Sequence, residues 1–134
     1  MPEIVTPDTA LLTRAVHTFL NRDADPSYLE SPGTLTFVAT EADQVAGWCW
    51  GYHLPRPDGS SMLYLHQLEV AKPHQGQGIG RALLSTFMTT GKASGASKMF
   101  LTTGAGNTPA RGLYDAMGGG LATQGDTVNY WFLL

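Results

Sequence analysis

Cysteine is almost absent: Cys49 stands alone in 134 residues, so no internal disulfide can close and no cysteine-rich zinc site can be built. Charge is scarce too, at 14% of residues, and its balance is acidic, with a net charge of −3. That balance argues against nonspecific nucleic-acid binding, which needs clustered Lys and Arg to neutralise phosphates. Nowhere does an uncharged apolar run reach the length needed to span a bilayer, and Met1-Pro2-Glu3-Ile4-Val5 puts no basic segment ahead of an apolar one. The expectation is therefore a soluble, cytoplasmic protein. His17, His53, His66 and His74 lack paired ligand spacing, so no metal is expected. Repeats and low-complexity segments are missing as well. What is plentiful is apolar material, 43% of the chain, enough for one globular domain over residues 1–134.

That apolar material is arranged in readable periods. Thr6-Pro7-Asp8 reads as a cap, a proline at the first helical position and an acidic first turn, ahead of Leu11, Leu12, Ala15, Val16, Phe19 and Leu20 at helical spacing. An acidic, turn-rich segment from Asn21 to Glu30 follows, with a second short helix starting at Pro26 and with Asp23, Asp25 and Glu30 able to receive a cationic substrate. Thr34–Thr40 and Val45–His53 are strand-like and joined by the short link Glu41–Gln44, which predicts an antiparallel hairpin. Leu63–Val70 is a third, central strand. Cys49, between two tryptophans and without a cationic neighbour in sequence, reads as a buried apolar side chain rather than a nucleophile.

After the central strand the chain runs Ala71-Lys72-Pro73-His74-Gln75-Gly76-Gln77-Gly78-Ile79-Gly80, and a helical period begins at once through Ile79, Leu83, Phe87 and Met88. Glycines let the backbone approach an oxygen-rich ligand, the first-turn N–H groups of the helix point at it, and the helix dipole favours its negative charge. The variety of cradle can be narrowed. A P-loop would end in Gly-Lys-Ser/Thr, whereas Gly80 is followed by Arg81-Ala82, and a dinucleotide fingerprint would need a Gly-x-Gly-x-x-Gly spacing that Gly76, Gly78 and Gly80 do not supply. Beyond this helix, Ser97–Thr103 reads as a strand lying parallel to the central one. Then come Gly104-Ala105-Gly106-Asn107, a short helix over Ala110–Met117 stopped by Gly118-Gly119-Gly120, and a last hairpin of Leu121–Gln124 and Val128–Leu133.

The pattern Gln75-x-x-Gly78-x-Gly80 after an apolar strand resembles the pyrophosphate-binding signature of the GNAT family of N-acetyltransferases. Asn107 ahead of Ala110-Arg111-Gly112-Leu113-Tyr114-Asp115-Ala116-Met117-Gly118 resembles that family's second motif, in the right order and at the right distance. Tyr52–Arg56, Leu63–Val70 and Pro109–Gly118 are further similar to the aminoglycoside 3-N-acetyltransferases of the gentamicin/fortimicin type, although Gln67 and the uncharged Gly104-Ala105-Gly106 loop stand where those enzymes carry acids. The resemblance implies an α/β (α+β) GNAT fold: a mixed, mostly antiparallel sheet, splayed between the central and fifth strands and flanked by helices.

It also implies acetyl-CoA as the acetyl donor. Cofactor contacts would come from Leu68 and Val70 at the end of the central strand, from Gln75, Gly76, Gln77, Gly78, Ile79, Gly80 and Arg81 in the cradle, and from Asn107 and Tyr114. The chemistry asked of the remaining residues is specific. An alkylamine with a pKa of about 10.4 is protonated at neutral pH, so its proton must be removed before it can attack. His66, ordinarily near 6.5, is favoured as base and Glu69 as the holder of the ammonium. Alternation places these two on opposite faces unless a bulge intervenes, as the resemblance implies. The backbone N–H near Val70 would receive the oxyanion, Tyr114 would protonate the departing thiolate, and Gln67 with Asp23, Asp25 and Glu30 would contact the acceptor. The expected reaction is transfer to a primary amine of a small molecule by direct attack, with neither nucleic acid nor membrane as partner and a homodimer left open. Two alternatives stand beside it: a protein or peptide N-acetyltransferase, and an acetyl-CoA-binding sensor with little activity.

Overall fold

The computed structural model describes residues 2–122 and 125–134 and divides into two compact units, 1–102 and 103–134. In the first, five strands form one sheet in the order β1-β2-β3-β4-β5: Glu3–Val5, Thr34–Glu41, Gln44–Pro55, Ser61–Val70 and Lys98–Phe100. Every neighbouring pair is antiparallel except β4–β5, which is parallel and joined by helix α2, Ile79–Ala93. Helix α1 covers Thr9–Leu20, and a 3-10 segment covers Pro26–Glu30, where the sequence predicts a short helix. A mixed, mostly antiparallel sheet flanked by helices, as the resemblance implies, is thus observed.

Several boundaries differ for identifiable reasons. The cap of α1 is Asp8, not Thr6: its carboxylate accepts the Leu11 N–H at 2.8 Å, and Pro7 lies outside the helix. Four strands precede the cradle rather than three, because Glu3–Val5 pairs with Val38–Thr40. Three residues carry no readable period. The link between β2 and β3 narrows to Ala42-Asp43, both left-handed (φ 48° and 64°), as a two-residue hairpin turn requires.

The sheet is packed on both faces. On one, α1 sets Ala15 against Val38 and Trp48, with Leu11, Val16, Phe19 and Val45 around them, and the Phe19 ring stacks on Trp48 at 5.4 Å. On the other, α2 buries Ile79, Leu83, Leu84 and Phe87, and Phe87 meets Phe37 edge-on at 6.5 Å. These apolar faces are the helical stripes visible in the sequence. Among the described residues no helix is long and apolar enough to cross a membrane.

The second unit holds helix α3, Thr108–Ala116, capped by Asn107 Oδ1, which accepts the Ala110 N–H at 3.3 Å. Of the hairpin expected after it, Thr123 and Gln124 lie outside the described residues, and Val128–Leu133 forms no strand. Apolar and aromatic composition favours a strand only when a neighbouring strand completes the hydrogen-bond ladder, and here Tyr130, Trp131 and Phe132 remain exposed.

Candidate active site

The central feature is an irregularity in β4. Its register with β3 pairs Trp48 with Glu69 and Trp50 with Gln67, then slips, so that Tyr52 pairs with Tyr64. Directly opposed residues share a sheet face. Tyr64, Gln67 and Glu69 therefore all project toward the α1 face, and His66 is the extra residue of the bulge. Its imidazole also lies on that face, stacked on Trp50 at 4.4 Å and 12° and touching the edge of Tyr64 at 5.5 Å. Gln67 Oε1 accepts the Trp50 Nε1–H at 3.0 Å. The bulge named as the exception to strand alternation is present, and it brings both candidate proton-handling residues to one face.

Gly51 makes the bulge feasible. A Cβ at this position would lie 1.9 Å from the Tyr64 carbonyl oxygen, so no other residue lets the two strands approach this closely. The same bulge accounts for the shortness of β5. Its pairing with β4 covers only Met62–Tyr64, ending just before the chain bends, whereas the sequence predicts a strand over Ser97–Thr103. Beyond Tyr64, among the described residues, no strand pairs with that edge of β4. The ladder ends there, leaving an edge of β4 along Leu65–Val70.

The cradle follows at once. The Ala71 N–H donates to the Ala46 carbonyl at 2.8 Å, a 3-10 turn occupies Lys72–His74, and the Gln75 side-chain amide reaches back to the Val70 carbonyl at 3.0 Å. His74 Nδ1 lies 3.4 Å from Glu41 Oε2, which ties the turn to β2. Gly76 and Gly78 hold φ of +79° and +81° with nothing within 4 Å of an added Cβ. Conformation, not crowding, thus demands glycine, and the space in front of the backbone is open. Gly78 is the helix cap and supplies no side-chain acceptor, so the first-turn N–H groups of α2 keep their capacity for an anion. Ile79 turns its side chain into the core, leaving its backbone to face a ligand, while Gln77 and Arg81 are exposed. Such a cradle suits the pyrophosphate of acetyl-CoA.

Between α1, the Pro26–Glu30 segment and β3 lies a cavity of about 270 Å³. Its walls are Leu12, Val16, Leu20 and Ala24 on one side and Tyr28, Trp48, Trp50 and Tyr52 on the other, with Asp23 and Asp25 at its acidic end. Of the acids singled out in the sequence, Asp23 and Asp25 line it and Glu30 does not. Asp25 Oδ1 accepts the N–H and O–H of Ser27 at 3.0 and 2.7 Å, and these bonds hold its carboxyl below the ordinary value. Tyr28 bonds Thr36 Oγ1 at 2.9 Å, and burial raises its phenol above the ordinary value. The sequence reading missed this aromatic wall. Its signal was Trp48-x-Trp50-x-Tyr52, whose period of two puts three rings on one face. Cys49, between them, points the other way: its Sγ lies 3.7 Å from the Leu83 carbonyl, and burial pushes the thiol up to about 12. Among the described residues no three His, Cys, Asp or Glu side chains converge as a metal site.

Asn107 and Tyr114 belong to the second unit. The amide oxygen of Asn107 is engaged as the α3 cap, its NH2 group being a separate donor. Tyr114 is half-buried, its carbonyl accepts the Gly119 N–H at 2.9 Å, and Arg111 braces the preceding loop through the Ala105 carbonyl at 2.9 Å.

Comparison with known proteins agrees with this geometry. N-acetyltransferase 8 of Rattus norvegicus is 32% identical over 108 residues, covering 80% of this chain and 48% of the rat protein. The chain thus spans about half the length of that curated relative. Among solved structures, an aminoglycoside acetyltransferase from an uncultured soil metagenomic sample superposes with a TM-score of 0.78 at 22% identity, covering 100% of this chain and 97% of the other. AAC(6')-Iy, in complex with the bisubstrate analog CoA-S-monomethyl-acetylneamine, superposes with a TM-score of 0.79 at 15% identity, covering 100% and 99%. At such identities these structures establish the fold. The model of the acetyltransferase (GNAT) family matches residues 8–118, and with the cradle, the mixed sheet and the bulged central strand in place, the chain belongs to that family.

Proposed function

We propose that this chain is an N-acetyltransferase that moves the acetyl group of acetyl-CoA to a primary amine of a small molecule by direct attack. The observation that carries the reading is the bulge at His66, which sets imidazole, Gln67 and Glu69 on the face that also holds the cavity, beside an uncapped glycine cradle. Acetyl-CoA supplies an activated thioester. The chain supplies the rest: Gln75, Gly76, Gln77, Gly78, Gly80 and the Ile79 backbone hold the pyrophosphate, with Arg81 adding positive charge at the helix entry. The free edge of β4 at Leu68 and Val70 accepts the pantetheine arm, and the Val70 N–H receives the negative charge that develops on the thioester oxygen. Glu69 holds the ammonium, His66 removes its proton, and Tyr114 protonates the departing thiolate, while the Asn107 amide donates to the pantetheine. The aminoglycoside likeness suggests an amino-sugar acceptor as the narrower reading, which Gln67 and the uncharged Gly104-Ala105-Gly106 loop weaken by removing carboxylates.

Calorimetric titration with acetyl-CoA, followed by a thiol-release assay over a panel of amines, tests the proposal. Gly78→Val forces a β-branched residue into a left-handed conformation and narrows the cradle, so acetyl-CoA affinity should fall at least about tenfold with the far-UV spectrum retained. Unchanged affinity in a folded Gly78→Val protein would remove the cradle from the mechanism. Tight cofactor binding without thiol release from any amine would favour the sensor.

A further inference from the structure

Resting on that acetyl-transfer reading, we infer that the acceptor is a monoamine carried on an apolar body, an arylalkyl or branched alkyl amine, rather than a polycationic amino sugar or a polyamine. The cavity is the evidence. Four aromatic rings and the aliphatic side chains of α1 form its walls, and among the described residues its charged lining is Asp23 and Asp25. An apolar wall rewards the removal of hydrocarbon from water, and it penalises each hydroxyl or ammonium that would lose hydration against it. One ammonium can be drawn in by these two carboxylates and then held beside the aromatic faces at His66 and Glu69. The four or five cationic groups of an aminoglycoside cannot, because two carboxylates serve them and the Oδ1 of one, Asp25, already takes two bonds from Ser27.

Size points the same way. A dry cavity of about 150 Å³ encloses a benzene ring, so 270 Å³ accommodates one ring with a short amine arm. Trp50 connects this volume to the chemistry, since it lines the cavity and stacks on His66 at 4.4 Å. An amine arm passing the edge of Trp50 would meet His66 with its apolar body still inside. Trp48, only 2% exposed, adds its ring to the same wall.

The test compares 2-phenylethylamine, isopentylamine, ethanolamine, putrescine and gentamicin in the thiol-release assay at matched concentrations. The expected result is a specificity constant for phenylethylamine at least about tenfold above ethanolamine, putrescine and gentamicin, since even one buried methylene is worth about that much. Leu20→Ser shortens the partly exposed rim of the wall without touching the deeper core, and should raise the KM for phenylethylamine more than that for ethanolamine. A preference for gentamicin, putrescine or ethanolamine overturns the inference while leaving acetyl transfer intact. If no amine releases thiol, the acetyl-transfer reading fails, and the cavity is judged separately by tryptophan fluorescence. Saturable quenching by phenylethylamine, weakened in Leu20→Ser, upholds the apolar-amine pocket, and its absence overturns it.

Discussion

At the scale of single residues, burial decides what chemistry a side chain can perform. Cys49 is fully buried beside α2, and desolvation pushes its thiol from an ordinary 9.0 to about 12, so it remains protonated where a reactive cysteine would be ionised. Iodoacetamide at pH 8 should leave the native protein unmodified by mass spectrometry and alkylate it fully in denaturant. The same shift carries a sign for stability. Because the native thiol keeps a proton that the unfolded chain releases above about pH 9, this contribution is complete below that pH and is lost as pH rises toward about 12. A urea midpoint that falls between pH 9 and 11 in the native sequence, but less in Cys49→Ala, would report it. The sequence supported this assignment because two tryptophans and no cation flank the thiol. It did not reveal Trp50 and Tyr52 as site residues, since aromatic rings in a strand serve a core equally well and only the cavity distinguishes the two uses. Tyr114 is judged by activity instead: as general acid, its change to Phe should lower kcat about ten- to a thousandfold with little change in acetyl-CoA affinity. Full turnover in that variant would leave Tyr114 a packing residue of α3.

Elements show where the sequence is explicit and where it is silent. The long periodic segments, α1, α2 and β2 through β4, were legible because each buries a stripe or face whose spacing repeats. The three-residue β1 was not, because strands of that length exist only through their partner. The bulge falls between these cases. Gly51 inside a strand is a signal for close backbone approach, but the residue that the bulge displaces, His66, becomes visible only in the register with β3. This yields a prediction at the scale of the element. In Gly51→Ala, the new methyl group meets the Tyr64 carbonyl at 1.9 Å, so the two strands must separate or shift. Stability should fall by about 1–3 kcal/mol, measured by urea unfolding. Because the shift also moves His66 against Trp50, kcat should fall while acetyl-CoA affinity, which depends on the cradle, changes little. Loss of cofactor affinity equal to the loss of kcat would mean that the bulge and the cradle are one mechanical unit.

Over the whole molecule, charge is sparse enough for its placement to matter. Eleven acids against eight Lys and Arg give a net −3, which attracts a cation diffusing from bulk. Lys72 and Arg81 border the cradle that would take an anionic cofactor, whereas Asp23 and Asp25 border the cavity that would take an ammonium. The two substrates of the proposed reaction would then be drawn to different places by fields of opposite sign, and both attractions should weaken as salt shortens the screening length. Between about 20 and 300 mM NaCl that length falls from roughly 20 to 6 Å, so the KM of a cationic amine should rise about two- to fivefold. The neutral N-acetylated product provides the control. It has nearly the shape of the amine without its charge, so its inhibition constant should stay level, or tighten slightly as salt strengthens apolar burial. An amine KM that does not move with salt, or a product constant that weakens in parallel with it, would mean that the acidic end of the cavity does not steer the acceptor and that its apolar wall alone selects it.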